Sequence, residues 1–430
     1  MRILIGAALL LVIGAADYLA RIAPVATGYA AKILCSAVFV SGRDPASVAG
    51  QEFTIPEGGL LRIFSTHVDV DRRTIAAHLF GTNTAWAVWR PGLGCALAGS
   101  SQDAQRLAQE HGPLPGRAFS PWRVSKKNPG LEDVLDEAFS DPGTRAAVIV
   151  RGGTLLGERY ASGFSEKTPL LGWSMTKGVT NALVGIRLAE LGVGVESKKL
   201  LPEWSGKKET ITIENLLRMR SGLRFREVYS VAPSDVSRML FARRDASGFA
   251  AGMPLEHPPG EYWSYSSGTT NILMRLLRSS FPDEAAYRAF PRVKLFDRIG
   301  AQSVVMETDA FGTFVGSSFM YANARDWARF GRLYLNDGVW EGDRILPEGW
   351  IQRSLRPAGG GYGSHVWVDL PAEVGGPEDP AWADAFYFLG HEGQSVSVIP
   401  SKNLVVVRLG LNKSGTWNQA KFLRAVFAAL

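Results

Sequence analysis

The most regular hydrophobic pattern in the chain runs from Ser174 to Leu191. Apolar residues recur there at every third or fourth position: Val179, Leu183, Ile186 and Ala189. This spacing places them on one face of an α-helix. Gly192 follows the last periodic residue, where glycine commonly ends a helix in the left-handed conformation. The pattern therefore predicts a helix with one buried face over Ser174 to Leu191.

Shorter patterns predict strands on both sides of a helical middle region. The strand patterns, two of them flanking Gly152-Gly153, are Ala146–Val150, Thr154–Tyr160, Ser395–Ile399 and Leu404–Leu409. The helical patterns are Leu131–Phe139, Glu214–Arg220 behind a Thr212 cap, Ser234–Ala242, Thr269–Leu277 and Ala420–Leu430. This order predicts an α/β (α+β) fold, in which an antiparallel sheet is flanked by helices and carries an inserted helical lobe.

Composition divides the 430 residues into four parts. Residues 1–22 begin with an apolar run and form a signal peptide or a membrane anchor. Residues 23–112 are mixed in character and predict a small N-terminal accessory region or extension. Residues 113–130 are rich in proline and predict a linker. Residues 131–430 form the main domain, with the helical lobe at about 173–300.

The apolar start indicates export, which changes the interpretation of the two cysteines. In an oxidising compartment, Cys35 and Cys95 are most simply a disulfide. Two buried free thiols are the alternative. We expect the protein in the periplasm or anchored to the outer face of the inner membrane.

The charge of the chain excludes some classes of function. The net charge is +6, but the basic residues are scattered, so we expect no nucleic-acid partner. Six histidines include no pair at metal-ligand spacing, and we expect neither a metal nor a cofactor. Membrane attachment through the N-terminal segment remains open, as does the oligomeric state.

Candidate chemistry lies at the start of the central helix. Ser174 and Lys177 are three residues apart, so their side chains share one side of the first turn. An amine within reach and the positive helix end both favour an activated serine nucleophile. A surface lysine beside an ordinary helix serine is the alternative. Ser205 and Lys208 repeat the spacing without apolar periodicity, which predicts a solvated loop.

Two further stretches add candidate side chains. Tyr265 lies in an aromatic cluster before a helix. A lysine ammonium beside it would lower the pKa of its phenol and allow it to serve as a general base. His391 lies between glycines at the start of a predicted strand, whose first amide N–H is able to complete an oxyanion hole with that of Ser174. A buried aromatic pair and a structural histidine are the alternatives.

In order and spacing, three motifs resemble those of the serine β-lactamase and penicillin-binding-protein superfamily. They are Ser174-Met175-Thr176-Lys177, Tyr265-Ser266-Ser267 and His391-Glu392-Gly393. The class C-like branch is the more similar, in particular its 6-aminohexanoate-dimer hydrolases and esterases. The resemblance implies a β-lactamase/transpeptidase-like fold over about 131–430. It also implies that Ser174, Lys177 and Tyr265 catalyse hydrolysis of a small-molecule amide or ester through an acyl-enzyme.

The resemblance also implies the binding residues. Oxyanion and substrate binding fall to Gln394, His391, Gly393 and Ser267, and more weakly to Tyr229 and Asp235. Two positions depart from the β-lactam-processing pattern: Ser267 replaces an asparagine and His391 replaces a lysine. We therefore expect simple esters and linear amides to be better substrates than β-lactams.

Several alternatives stay open at this point. A β-lactamase or a D-alanyl-D-alanine carboxypeptidase is the alternative within the same superfamily. A penicillin-binding sensor would acylate without turnover, and an envelope protein would do neither. An α/β-hydrolase is a weaker alternative, because the sequence around Ser174 lacks the final glycine of a nucleophile elbow.

Overall fold

The computed structural model of the chain describes residues 2–53, 64–79, 82–116, 121–229, 234–376, 382–413 and 415–430, without the side chains of 2–16, 19, 64, 82 and 83. Its N-terminal part contains α1 (Arg2–Phe39), α2 (Pro45–Glu52), β1 (Phe64–Asp69), β2 (Thr74–Leu79), β3 (Thr82–Arg90), β4 (Gly94–Ala98) and α3 (Ser101–Leu107). The four strands form an antiparallel sheet in the order β1-β2-β3-β4. Helix α1 packs against this sheet.

The next part of the chain builds half of the main sheet and then the helical region. Its elements are β5 (Arg123–Val124), α4 (Pro129–Phe139), β6 (Thr144–Arg151), β7 (Thr154–Tyr160), β8 (Leu170–Leu171), α5 (Thr176–Leu191), α6 (Ile213–Leu217), α7 (Asp235–Phe241), α8 (Ala246–Ala251), α9 (Ser267–Ser279) and α10 (Glu284–Pro291). A 3-10 turn, Trp173–Met175, leads into α5.

The last part returns to the sheet. Its elements are β9 (Val305–Met306), β10 (Met320–Ala322), α11 (Ala324–Leu335), β11 (Val339–Trp340), β12 (Asp343–Arg344), α12 (Trp350–Ser354), β13 (Phe386–Gly390), β14 (Gln394–Ile399), β15 (Leu404–Gly410) and α13 (Gln419–Ala428). The main sheet has the order β13-β14-β15-β6-β7-β5, antiparallel except for the parallel pair β5 and β7. The predicted fold class is confirmed.

Strand β15 shows why the sheet needs helices on both faces. Val405 and Val407 point into the core beneath α11, whereas Leu404 and Val406 point into the second core beneath α4 and α13. Consecutive side chains of a strand point to opposite faces, so an unbroken apolar run fits a strand covered on both sides. Each fully buried valine or leucine stabilises the fold by about 1.5–3 kcal/mol.

Helix α1 is part of the protein core from Ile22 onwards. Among the described residues, Ala20–Phe39 is the one helical stretch long and apolar enough to cross a membrane by length and composition, yet 72% of that window is buried inside the protein. Lys32 forms a buried ion pair with Glu307, whose carboxylate also accepts the Cys95 N–H at 2.7 Å. A disulfide joins Cys35 in α1 to Cys95 in β4. These contacts fasten the N-terminal extension to the main domain.

Local details differ from the sequence expectations in two places. The predicted linker contributes β5 to the main sheet, and Asn128 caps the start of α4. The helix predicted over Glu214–Arg220 ends at Leu217, because Met219 adopts a left-handed backbone conformation with φ +58°. Its predicted Thr212 cap is confirmed as a reciprocal capping box with Asn215.

Candidate active site

Ser174 lies in the tight turn that leads into α5. Trp173, immediately before it, has a left-handed φ of +48°, and its indole N–H donates to the Glu392 carboxylate at 2.8 Å. Gly172 makes room for Trp327, since a Cβ at this position would lie 2.2 Å from the Trp327 ring. Left-handed backbone is costly for a tryptophan and persists only where the surroundings hold it. The turn is therefore fixed from both sides, and Ser174 remains partly exposed.

Lys177 is fully buried beside Ser174. Its Nζ donates to Ser174 Oγ at 2.9 Å, to Ser267 Oγ at 3.0 Å and to the Ser317 carbonyl at 3.1 Å. Burial lowers the pKa of Lys177 to about 8, against the opposing negative charge of Glu227. About one molecule in ten then carries the free amine at pH 7. Such an amine is able to accept the Ser174 proton.

Glu227 continues this network. Ser267 Oγ donates to Glu227 Oε1 at 2.6 Å, and the Ser267 N–H donates to Oε2 at 2.8 Å. Desolvation raises the pKa of Glu227, and the Lys177 charge lowers it. A continuous chain of hydrogen bonds thus runs from Ser174 through Lys177 and Ser267 to Glu227. The Ser267 hydroxyl therefore already has hydrogen-bond partners in Lys177 and Glu227.

Tyr265 lies against the same lysine, but its pKa moves in the direction opposite to the expectation. Lys177 Nζ is 4.8 Å from the centroid of the Tyr265 ring. Desolvation raises the pKa of Tyr265 and Glu227 raises it further, whereas hydrogen bonds with Ser174 and Tyr362 lower it. The prediction that the neighbouring Lys177 makes Tyr265 easier to ionise was therefore wrong. The phenol stays protonated at neutral pH, which suits a proton donor better than a resting base.

His391 packs against two aromatic rings and is half-buried. Tyr229 stacks on it with ring centroids 4.6 Å apart, and Trp173 meets it edge-on at 5.4 Å. Desolvation lowers the pKa of His391 to about 4, so the imidazole is neutral at pH 7.

The turn that carries His391 packs directly on the turn that carries Ser174. A Cβ on Gly390 would lie 2.3 Å from the Gly172 carbonyl oxygen, so the two backbones touch. Gly393 has φ +81°, and strand β14 begins at the next residue, Gln394. The Gln394 side chain bonds the backbone of Gly410 at both its amide atoms. The group of Gln394 that the sequence analysis assigns to the oxyanion hole is therefore its backbone N–H and not its side chain.

The remaining predicted residues lie either at the site or elsewhere in the fold. Tyr229 contacts His391, as described above. Asp235 is buried at the start of α7, where its carboxylate accepts the Arg226 N–H at 2.9 Å. Ser205 is exposed at a loop turn, and Lys208 donates instead to the Ala251 carbonyl at 3.3 Å. The structure therefore brings together Ser174, Lys177, Tyr265, Ser267 and the His391 turn, and leaves Asp235 with a structural contact. Among the described residues, no cluster of three His, Cys, Asp or Glu side chains is placed to hold a metal.

A family model described as Beta-lactamase matches residues 135–422, about two thirds of the chain. The chain belongs to the Beta-lactamase family. Membership confirms the enzyme class that the motifs predicted, a serine hydrolase.

Relatives within and near this family have hydrolase names. A 6-aminohexanoate-dimer hydrolase of Paenarthrobacter ureafaciens is 26% identical over 252 residues, which cover 55% of this chain and 62% of that protein. A candidate 6-aminohexanoate-dimer hydrolase of Bacillus anthracis superposes with a TM-score of 0.59 at 22% identity, over 73% of this chain and 87% of the other. A family VIII carboxylesterase superposes with a TM-score of 0.51 at 17% identity, over 72% and 99%. The structural likenesses show that this family member shares their fold.

Proposed function

We propose that the protein is an exported serine hydrolase that cleaves an amide or ester through an acyl-enzyme on Ser174. One observation carries the proposal: a fully buried lysine amine lies 2.9 Å from the Ser174 hydroxyl, in surroundings that lower its pKa to about 8. A serine beside an amine that is partly neutral at pH 7 has a base for its proton. The proposed reaction is like that of the relatives named as 6-aminohexanoate-dimer hydrolases and carboxylesterases.

The acylation step follows from these positions. Lys177 Nζ takes the Ser174 proton while Oγ bonds to the carbonyl carbon of the substrate. The N–H groups of Ser174 and Gln394 hold the developing oxyanion. Tyr265, protonated at neutral pH, gives its proton to the leaving amine or alcohol as the bond breaks, and the Lys177 ammonium restores that proton. In deacylation, water attacks the acyl carbon while the neutral Lys177 amine takes the water proton. The bond between the acyl carbon and Ser174 Oγ then breaks, and Lys177 gives that proton to Oγ, which releases the acid and restores the free serine.

The substrate class follows from the two departures from the β-lactam pattern. His391 packs against two aromatic rings and is neutral at pH 7, so it offers no positive charge to a substrate carboxylate. Ser267 is bonded to Lys177 and Glu227 and lacks an amide group. Losing a charged contact and a hydrogen bond costs on the order of 2–4 kcal/mol, or roughly 30- to 1,000-fold in specificity. Simple esters and linear amides do not need these contacts.

A substrate panel tests the proposal. We expect p-nitrophenyl butyrate to be hydrolysed with a higher kcat/KM than any penicillin or cephalosporin, with an acylaminoalkanoate amide as the second substrate. The Ser174→Ala variant is the blank for each compound, and Ser205→Ala is the matched control that keeps full activity. If a cephalosporin were the best substrate, the result would contradict the proposal and indicate that the enzyme is a β-lactamase. Acylation without turnover would make it a sensor.

Export is the second part of the proposal. The apolar N-terminal run and the Cys35–Cys95 disulfide both support an oxidising compartment. Fractionation of cells that produce the full chain, with activity measured in periplasm, membrane and cytoplasm, tests it. Activity confined to the cytoplasm would contradict export.

A further inference from the structure

Arg408 is a buried cation beneath the proposed oxyanion hole. It lies in β15 opposite Ser395, and its side chain is fully buried. One guanidinium nitrogen, Nη1, donates to the Gly393 carbonyl at 3.0 Å and approaches the Glu392 carbonyl at 3.5 Å. The Gly393 carbonyl and the Gln394 N–H belong to the same peptide unit. A group that holds one therefore orients the other.

The surroundings keep the guanidinium in this position. The second nitrogen, Nη2, donates to Thr144 Oγ1 at 2.8 Å and to Asn412 Oδ1, and the Trp417 ring covers the guanidinium with its centroid 4.2 Å away. Glycines leave room for it, because a Cβ would lie 2.5 Å from Nη1 at Gly393 and 2.0 Å at Gly410.

The charge of Arg408 has no direct carboxylate partner in the part of the chain that the structure describes. Its acceptors are two backbone carbonyls, a hydroxyl and an amide oxygen. The nearest acid in the network is Asp141, which binds the opposite end of the Asn412 amide with both oxygens at 3.0 Å. A buried cation without a paired anion is costly. The charge-assisted hydrogen bonds of Arg408 therefore go to neutral oxygens, and the backbone carbonyls of Glu392 and Gly393 are two of them.

We propose that Arg408 is a positioning residue that aligns and polarises the Gly393–Gln394 peptide for oxyanion binding. A charge-assisted hydrogen bond to a carbonyl strengthens the donor at the other end of the same peptide, because hydrogen bonds in series polarise one another. Donors fixed in advance at the place where negative charge develops stabilise a transition state without reorganisation. This inference rests on the proposed acyl-enzyme function.

Two variants separate the charge from the packing. Arg408→Met removes the charge and every donor while keeping most of the apolar volume. Arg408→Lys keeps the charge and carries the test if the methionine variant does not fold. Arg292→Met is the control for the loss of a buried arginine, because Arg292 also donates to backbone carbonyls, those of Ala301 and Val304, although it pairs with Asp297 as well.

The measurements are made per functional site, counted by the burst of p-nitrophenol. Loss of an oxyanion donor costs about 10²–10³-fold in rate; here the N–H remains but loses its alignment, so we expect acylation by Arg408→Met to fall roughly 10- to 100-fold. KM should change little, and affinity for a boronate that mimics the tetrahedral intermediate should fall by the same factor. The infrared carbonyl stretch of the acyl-enzyme should move to higher wavenumber. The acylation rate and the carbonyl stretch of Arg408→Lys should lie between those of the wild type and Arg408→Met. Arg292→Met should leave the acylation rate, the boronate affinity and the carbonyl stretch unchanged.

Three results would overturn the inference. The first is an Arg408→Met enzyme whose acylation rate per site and carbonyl stretch match the wild type. The second is an equal loss in Arg292→Met, which would indicate general destabilisation. The third is a wild-type enzyme that forms no acyl-enzyme at all. Only this last result would also refute the proposed function, so the two failures are distinguishable.

Discussion

Replacing Glu227 by glutamine should shift the pH dependence of the enzyme without removing its nucleophile. The Glu227 charge favours the ammonium form of Lys177 and so raises the pKa of that lysine, against the larger lowering caused by burial. Glutamine removes the charge and keeps an acceptor for the Ser267 hydroxyl. The free amine then forms at lower pH, and the acid limb of kcat/KM should move downwards.

The size of the shift follows from the geometry. Ser267 Oγ accepts a hydrogen bond of 3.0 Å from Lys177 Nζ and donates one of 2.6 Å to Glu227 Oε1. The nitrogen of Lys177 and this oxygen of Glu227 therefore lie no more than about 5.6 Å apart. Two unit charges at that distance interact by about 3 kcal/mol at an effective dielectric of about 20, which corresponds to about two pKa units. Glu227 is only partly buried, and solvent screens its charge. We therefore expect the limb to fall by roughly one to two units from its wild-type position near pH 8.

The assay is kcat/KM for p-nitrophenyl butyrate between pH 5 and pH 9, with spontaneous hydrolysis subtracted. Glu261→Gln is the matched control, because it removes an exposed acid and should leave the limb in place. An acid limb that stays near pH 8 in Glu227→Gln, or moves upwards, would refute the coupling of Glu227 to Lys177. Thermal unfolding of both variants shows whether the fold is intact.

Three further predictions concern the site and the scaffold. Lys177→Ala and Tyr265→Phe should each slow acylation by orders of magnitude, and the double variant should lose far less than the product, because groups on one proton path act as a unit; independent losses would mean that one of them only packs. Glu307→Gln leaves its lysine partner unpaired and should cost about 3–5 kcal/mol in urea unfolding, whereas a loss below about 1 kcal/mol would contradict a structural ion pair. Exported protein, unfolded without reductant, should show no alkylation at Cys35 and Cys95; two reactive thiols would reject the bridge.

Features with local causes were predictable from the sequence. The α5 helix follows the apolar period from Val179 and ends at Gly192, which adopts φ +63°. The hairpin of β6 and β7 turns at Gly152 and Gly153, both with positive φ. Ser174 and Lys177 share one helical turn, so their contact needs no information from the rest of the fold.

Contacts with distant residues that belong to neither the three motifs nor the cysteine pair were not predictable. Glu227 reaches Ser267 across 40 residues, and Lys32 reaches Glu307 across 275. No periodicity links such pairs, because tertiary packing alone brings them together. The direction of the Tyr265 pKa was missed for the same reason: the charge of a nearby lysine is visible in a motif, whereas desolvation by the surrounding elements is not.

The central claim is a covalent acyl-enzyme on Ser174, and intact-mass analysis tests it most directly. The full-length protein is mixed with a slowly hydrolysed p-nitrophenyl ester, quenched in acid within the burst phase and weighed, and the modified peptide is sequenced. We predict one added acyl group per chain on the peptide that contains Ser174, absent in Ser174→Ala and retained in Ser205→Ala. An unmodified wild-type chain during continuing turnover, or an adduct that persists in Ser174→Ala, would contradict the account.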